Sequence, residues 1–173
     1  MKSIEKTKKI RAALKAAGIS NRQVSVRHRV GYSSAWHITI KDNSLSVRRV
    51  REICERFQDV DIDEMTGEIL AGGNDFIFVE RAYDAPVDGS EYLEAVRKAI
   101  SEISGNGEAV PIEGADWNIF QSGGFYIANN ETYNKISYKL GSIHINVWEG
   151  AAERLAQALK EHALDYEYLI NCQ

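Results

Sequence analysis

Two runs in the first quarter of the chain alternate between apolar and polar residues, and that period of two constrains the fold more than any other feature. In VSVRHRV, residues 24–30, Val24, Val26, His28 and Val30 share one face, while Ser25, Arg27 and Arg29 share the other. In WHITIK, residues 36–41, Trp36, Ile38 and Ile40 alternate with His37, Thr39 and Lys41. Successive side chains of an extended chain point to opposite sides, so each run reads as a strand with one face for a core. The link GYSSA is short and turn-prone, which predicts an antiparallel hairpin. Its other face is a cationic strip: Arg27, Arg29, His37 and Lys41, with Arg48, Arg49 and Arg51 following closely. Tyr32 in the turn would add a stacking surface.

The flanking segments complete a module. Ile10, Ala13, Leu14 and Ala17 recur at helical spacing over residues 4–17, and Gly18 is a suitable stop. Asn43 or Ser44 would cap a second helix over residues 45–57, with Val47, Val50, Cys54 and Phe57 as its apolar stripe. The acidic stretch DVDIDEMTGE leads to a strand in DFIFVERAY. Residues 1–83 thus read as helix, two strands, helix and strand. DAPVDGS, with Pro86 and Gly89, reads as a linker.

Beyond it, SEYLEAVRKAISEIS is a helix that buries Tyr92, Leu93, Val96, Ile100 and Ile103. GNGEAVPIEGAD reads as a loop. WNIFQ, FYIANN, KISYKL and IHINVW then follow with gaps too short for helical crossovers, which predicts a four-stranded antiparallel meander. A helix over residues 150–162 and a last strand in YEYLIN would close residues 90–173. The expected class is α+β: two small modules, each with an antiparallel sheet and packing helices.

Charge is divided along the chain. Residues 1–56 hold 14 Lys/Arg against 4 Asp/Glu, and residues 57–173 hold 7 against 21, within a net charge of −4. Charges gathered in this way create a field that bears on partners. The basic strip can neutralise phosphates, or its cations can pair with the carboxylates of residues 59–68. The acidic half offers Asp116, Trp117, Tyr126, Tyr133 and Trp148 as a partner contact, since Trp and Tyr are enriched among strong interface contacts. Its acidic surface could also mimic nucleic acid in a partner's groove.

No motif points to catalysis. Asp59, Asp61 and Asp63 match the first ligand positions of a calcium loop, but Glu64 stands where the turn needs Gly and Leu70 where it needs Glu. His28, His37, His144 and His162 have no metal-type spacing with each other or with Cys54 and Cys172. The glycines of AGGND and QSGGF do not follow the strand–loop–helix order of a phosphate cradle. No cofactor or metal is expected. The N-terminus lacks a signal-peptide core, and no apolar run approaches the roughly 18 residues of a membrane span. A cytoplasmic protein with two free thiols is the expectation. An edge strand of the meander could pair two copies into a homodimer.

The order KKIRAALKAAG, VSVRHR, WHITIKD, SVRRVREICERF, DEMTGEIL and GGNDFIFVER, over residues of about 8–82, resembles the twenty-ninth of the large polyvalent-protein-associated domains. Its S-V-R element is here Ser25, Val26 and Arg27, and its last strand begins at Phe76. The resemblance implies phages and conjugative elements, whose polyvalent proteins enter a new host with the DNA and protect it or modify the host. It transfers no catalytic residues. The first expectation is a non-enzymatic accessory protein of such an element in the host bacterial cytoplasm, binding and inhibiting a host defence or nucleic-acid-handling complex in an anti-CRISPR-like manner. The alternative is direct nucleic-acid binding by the basic module.

Overall fold

In the computed structural model the described residues are 2–31, 33–70 and 73–172. They form two compact units, Met1–Pro86 and Val87–Gln173, each an α+β arrangement with its own sheet and core. Tyr32 lies outside the described residues. No helix among those described is long and apolar enough to cross a membrane.

The first unit opens with α1 (Lys2–Ala16). Its end is closed by Gly18 at φ +79°, with Ile19 N–H donating to the Leu14 carbonyl at 2.9 Å and Gly18 N–H to Lys15 at 3.0 Å. Glycine tolerates this left-handed turn, and Ile19 and Leu14 pack beside it in the core. Strands β1 (Val24–Val30) and β2 (Ser34–Ile40) pair antiparallel, with Val24 opposite Ile40 and Arg27 opposite His37. Helix α2 (Val47–Glu55) is capped by Ser46, whose side chain accepts from the Arg49 N–H at 3.0 Å. Neither Asn43 nor Ser44 does this. Ser44 instead donates twice to Asp42, at 2.6 and 2.9 Å, in a turn ahead of the helix.

Strand β3 (Asp75–Arg81) lies beside β2 and runs parallel to it, so this sheet is mixed, in order β1-β2-β3. This departs from the all-antiparallel expectation. The reason is the connection: α2 and the long loop after it carry the chain back to the starting end of β2, and a helical crossover delivers a parallel strand. Both helices cover the same side of the sheet. Ile10, Leu14, Val50 and Cys54 from the helices pack with Val24, Val26, Trp36, Ile38, Ile40 and Ile77 from the strands. The acidic stretch forms a small solvated hairpin, with Ile62 bridged to Ile69 and Asp63 accepting from the Met65 and Thr66 N–H groups at 2.9 and 2.8 Å. Those bonds hold the Asp63 carboxyl below the usual range. Among the described residues no group of His, Cys, Asp or Glu could hold a metal.

Cys54 is fully buried, and burial pushes its thiol up to about 12, whereas Cys172 is exposed. A disulfide-exchange reagent at pH 8 will therefore titrate one thiol per native chain and the second only on unfolding, because the thiolate is the reactive form.

The second unit comprises α3 (Ser90–Glu102), β4 (Val110–Ile112), β5 (Trp117–Ser122), β6 (Phe125–Asn129), α4 (Glu131–Ile136), α5 (Tyr138–Gly141), β7 (Ser142–Asn146) and α6 (Ala151–Asn171). Its sheet is a four-stranded antiparallel meander, β4-β5-β6-β7, but not from the four expected runs. KISYKL is divided between the end of α4 and the start of α5, with Ser137 extended between them. Asn130 accepts from the Tyr133 N–H at 2.9 Å and starts α4, overriding the short alternation behind it. The VPI run takes its place as β4. YEYLIN is no strand either: it continues α6. His162 and Tyr166, one turn apart, bring that helix onto Trp117 and Tyr133, with ring centroids 5.8 and 4.1 Å apart.

Gly89 precedes α3, where a Cβ would stand 2.4–2.5 Å from the backbone of Ala156 and Gln157 in α6. Only a residue without a side chain lets these helices approach so closely. Gly89→Ala is expected to cost about 1–3 kcal/mol, as overpacking does, read as a lower denaturant midpoint.

Candidate nucleic-acid interface

Because both helices occupy one side of the first sheet, the alternating residues of β1, β2 and β3 face outward on the other. Registration across the strands orders them into rows. Arg29 lies opposite Ala35, which neighbours Phe76, and Arg27 lies opposite His37, which neighbours Phe78. Each row therefore begins with an arginine on β1 and ends with a phenylalanine on β3. A third row, Ser25, Thr39 and Glu80, bounds the face with a carboxylate. The rings of Phe76 and Phe78 lie 6.1 Å apart with 20° between their planes, and His37 is 5.4 Å from Phe78. Phe78 is 47% exposed, and neither phenylalanine belongs to the core.

The side chains of Arg27, Arg29 and Lys41 are exposed and make no hydrogen bond or ion pair with any described residue. The expected pairing with the carboxylates of residues 59–68 does not form. Asp42, next to Lys41, is occupied by Ser44 and by Gln23 at 2.8 Å, and these bonds hold its carboxyl below the usual range. Cations left without counterions on an open sheet face are available to phosphate.

The other predicted cations are elsewhere. Arg48, Arg49 and Arg51 sit on α2, in the layer behind the sheet. Arg49 donates to the Ala17 carbonyl at 2.7 Å and so ties α2 to the end of α1. Arg51 is 3.8 Å from Glu55 one turn on, and Arg48 is half-buried and already engaged within the chain. Proximity in sequence did not bring these three to the face of Arg27 and Arg29. Arg11, from α1, donates to the Val26 carbonyl at 3.0 Å and closes part of the β1 edge.

The acidic and aromatic set of the second unit is not one surface. Trp117 is 4% exposed and lies edge-on to Tyr133 at 5.4 Å, so it is a core residue. Tyr126 and Tyr133 are half-buried and pack against that core, and burial pushes the Tyr133 phenol up. Only Asp116 and Trp148 are exposed, and strand register puts them at opposite ends of the sheet. Arg154 covers the Trp148 ring at 5.0 Å. The outer face of this sheet, with Phe120, Ile127 and His144 in its central row, carries no Lys, Arg, Asp or Glu. It has no charge to offer a polyanion.

Phe76 and Phe78 are the site residues that strand reading alone passed over. Their signal was present in DFIFVER: Ile77 and Val79 already supply a core face, which leaves two phenylalanines on the other. The unit boundary also relocates the charge division. Counted over residues 1–86 there are 15 Lys/Arg against 12 Asp/Glu, so basicity belongs to the sheet face and helices and not to the whole unit. The chain matches no protein family, no curated protein and no solved structure.

Proposed function

We propose that this protein is a non-enzymatic nucleic-acid-binding protein that uses the open sheet face of its first unit. The observation that carries this reading is the pair of exposed, unpaired cations Arg27 and Arg29 on a face that neither helix of the unit covers, with Lys41, also exposed and unpaired, just past the end of β2. Phosphate contact by such cations requires no built cavity and yields salt-dependent affinity. The setting we assign, an accessory protein of a phage or conjugative element acting in a bacterial host, rests on the resemblance of residues 8–82 alone.

The other reading is occlusion of a host nucleic-acid-handling complex by the second unit. It is supported by that unit's charge, 6 Lys/Arg against 13 Asp/Glu over residues 87–173. The dispersal of its aromatic contact set makes it the weaker proposal. Affinity capture of the tagged protein from bacterial lysate, with and without nuclease, separates the two. Nucleic acid lost on nuclease treatment, with no stoichiometric protein, is the expected result. A nuclease-resistant protein partner at unit stoichiometry, without bound nucleic acid, would overturn it in favour of occlusion.

A further inference from the structure

We infer that the ligand of this face is an unpaired strand, with bases stacked on Phe76 and Phe78 and phosphates held by Arg29 and Arg27. The inference rests on the nucleic-acid reading above and adds to it the class of nucleic acid. Cations alone do not discriminate between duplex and single strand, since both present phosphates. Aromatic rings on an open sheet do. A base in a duplex has both faces covered by its neighbours, whereas an unpaired base can lay one face on a ring.

The register supplies the pairing of groups that a nucleotide needs. The Arg29 row and the Arg27 row each hold a cation and a ring two strand spacings apart, roughly 10 Å, which is within the reach of one nucleotide with its phosphate at one end and its base at the other. In the first row the small Ala35 leaves a trough between the two ends. In the second, His37 continues the ring surface from Phe78 toward Arg27. Two adjacent rows of this kind accommodate two successive nucleotides. Glu80, in the third row, stands where the first two rows have a ring, so the face offers two stacking rows.

The phenylalanines have no better use within the unit. The core is complete without them, with Ile77 and Val79 from the same strand turned inward, and the two rings lie together on the face that carries Arg27 and Arg29. A second protein surface would also cover an apolar patch. It would leave Arg27 and Arg29 to be matched by carboxylates, whereas a strand of nucleic acid matches ring and cation in each row at once.

The test is fluorescence anisotropy with labelled oligo(dT) of a dozen nucleotides and a mixed-sequence duplex of the same length. It compares the full chain with Phe76→Leu/Phe78→Leu, which keeps apolar bulk, and with Phe78→Ala, a single change at the more exposed ring. Thermal midpoints check that each variant folds. The expected result is tighter binding of the single strand than of the duplex, and a loss of about 10- to 100-fold for the single strand in both variants, with duplex affinity unchanged. Equal affinity of the parent protein for both probes, or variants that bind the single strand as the parent does, would overturn the stacking inference and leave the basic-face reading standing. No binding of either probe at low salt would overturn both.

Discussion

Arg27→Glu combined with Arg29→Glu abolishes nucleic-acid binding at low salt, with an expected loss of roughly 1,000-fold. A cation near a phosphate in water gains about 1 kcal/mol, and reversing its sign replaces that gain with a repulsion of similar size, so two reversals amount to about 4 kcal/mol. Both side chains are exposed and make no contact that folding depends on, so the thermal midpoint should not move. Arg51→Glu, on the helix behind the sheet, is the matched control and should leave affinity nearly unchanged. Electrophoretic mobility shift of the same oligonucleotide reads all three. Equal loss in the control would mean that overall charge, and not this face, does the binding.

Trp36→Ala is the substitution expected to damage the fold most. The indole is 1% exposed at the centre of the first core, and its Nε1–H donates to Thr7 Oγ1 at 2.9 Å. The His28 ring lies 4.3 Å away and the Lys6 ammonium 5.0 Å from the indole centroid. Truncation removes the largest fully buried side chain and leaves a cavity under all three strands, at a cost of about 3–5 kcal/mol. Trp36→Phe fills most of the space and should cost less. Because the second unit has a separate core, hydrogen exchange should show β1–β3 losing protection while β4–β7 keep theirs. Uniform loss across both sheets would contradict the two-core account.

How far the sequence carried depends on the range of the interaction. The hairpin was legible because alternation, turn and pairing all lie within residues 24–40. So was the outward placement of Arg27, Arg29 and His37, which needs only the period of two. The direction of β3 was not legible, since it depends on how α2 and the loop after it return the chain. KISYKL and YEYLIN alternate over too few residues to separate strand from helix, and the decisive signals lay outside them: the Asn130 cap before one, and the unbroken helical run before the other. Trp117 was misplaced because an aromatic residue in a strand carries no mark of which face the helices will cover. The rows that join Arg29 to Phe76 and Arg27 to Phe78 depend on the register of three strands, one of them paired across a long crossover. No local pattern contains that.

The measurement that most directly tests the central claim is the affinity of the full chain for oligo(dT) across a series of salt concentrations. With Arg27, Arg29 and Lys41 each neutralising a phosphate, log K should fall linearly with log salt at a slope of about −2, and Arg27→Gln/Arg29→Gln should bring it to about −0.7. Binding that is absent at low salt, or whose slope is unaffected by removing both arginines, would contradict the assignment of this face to nucleic acid.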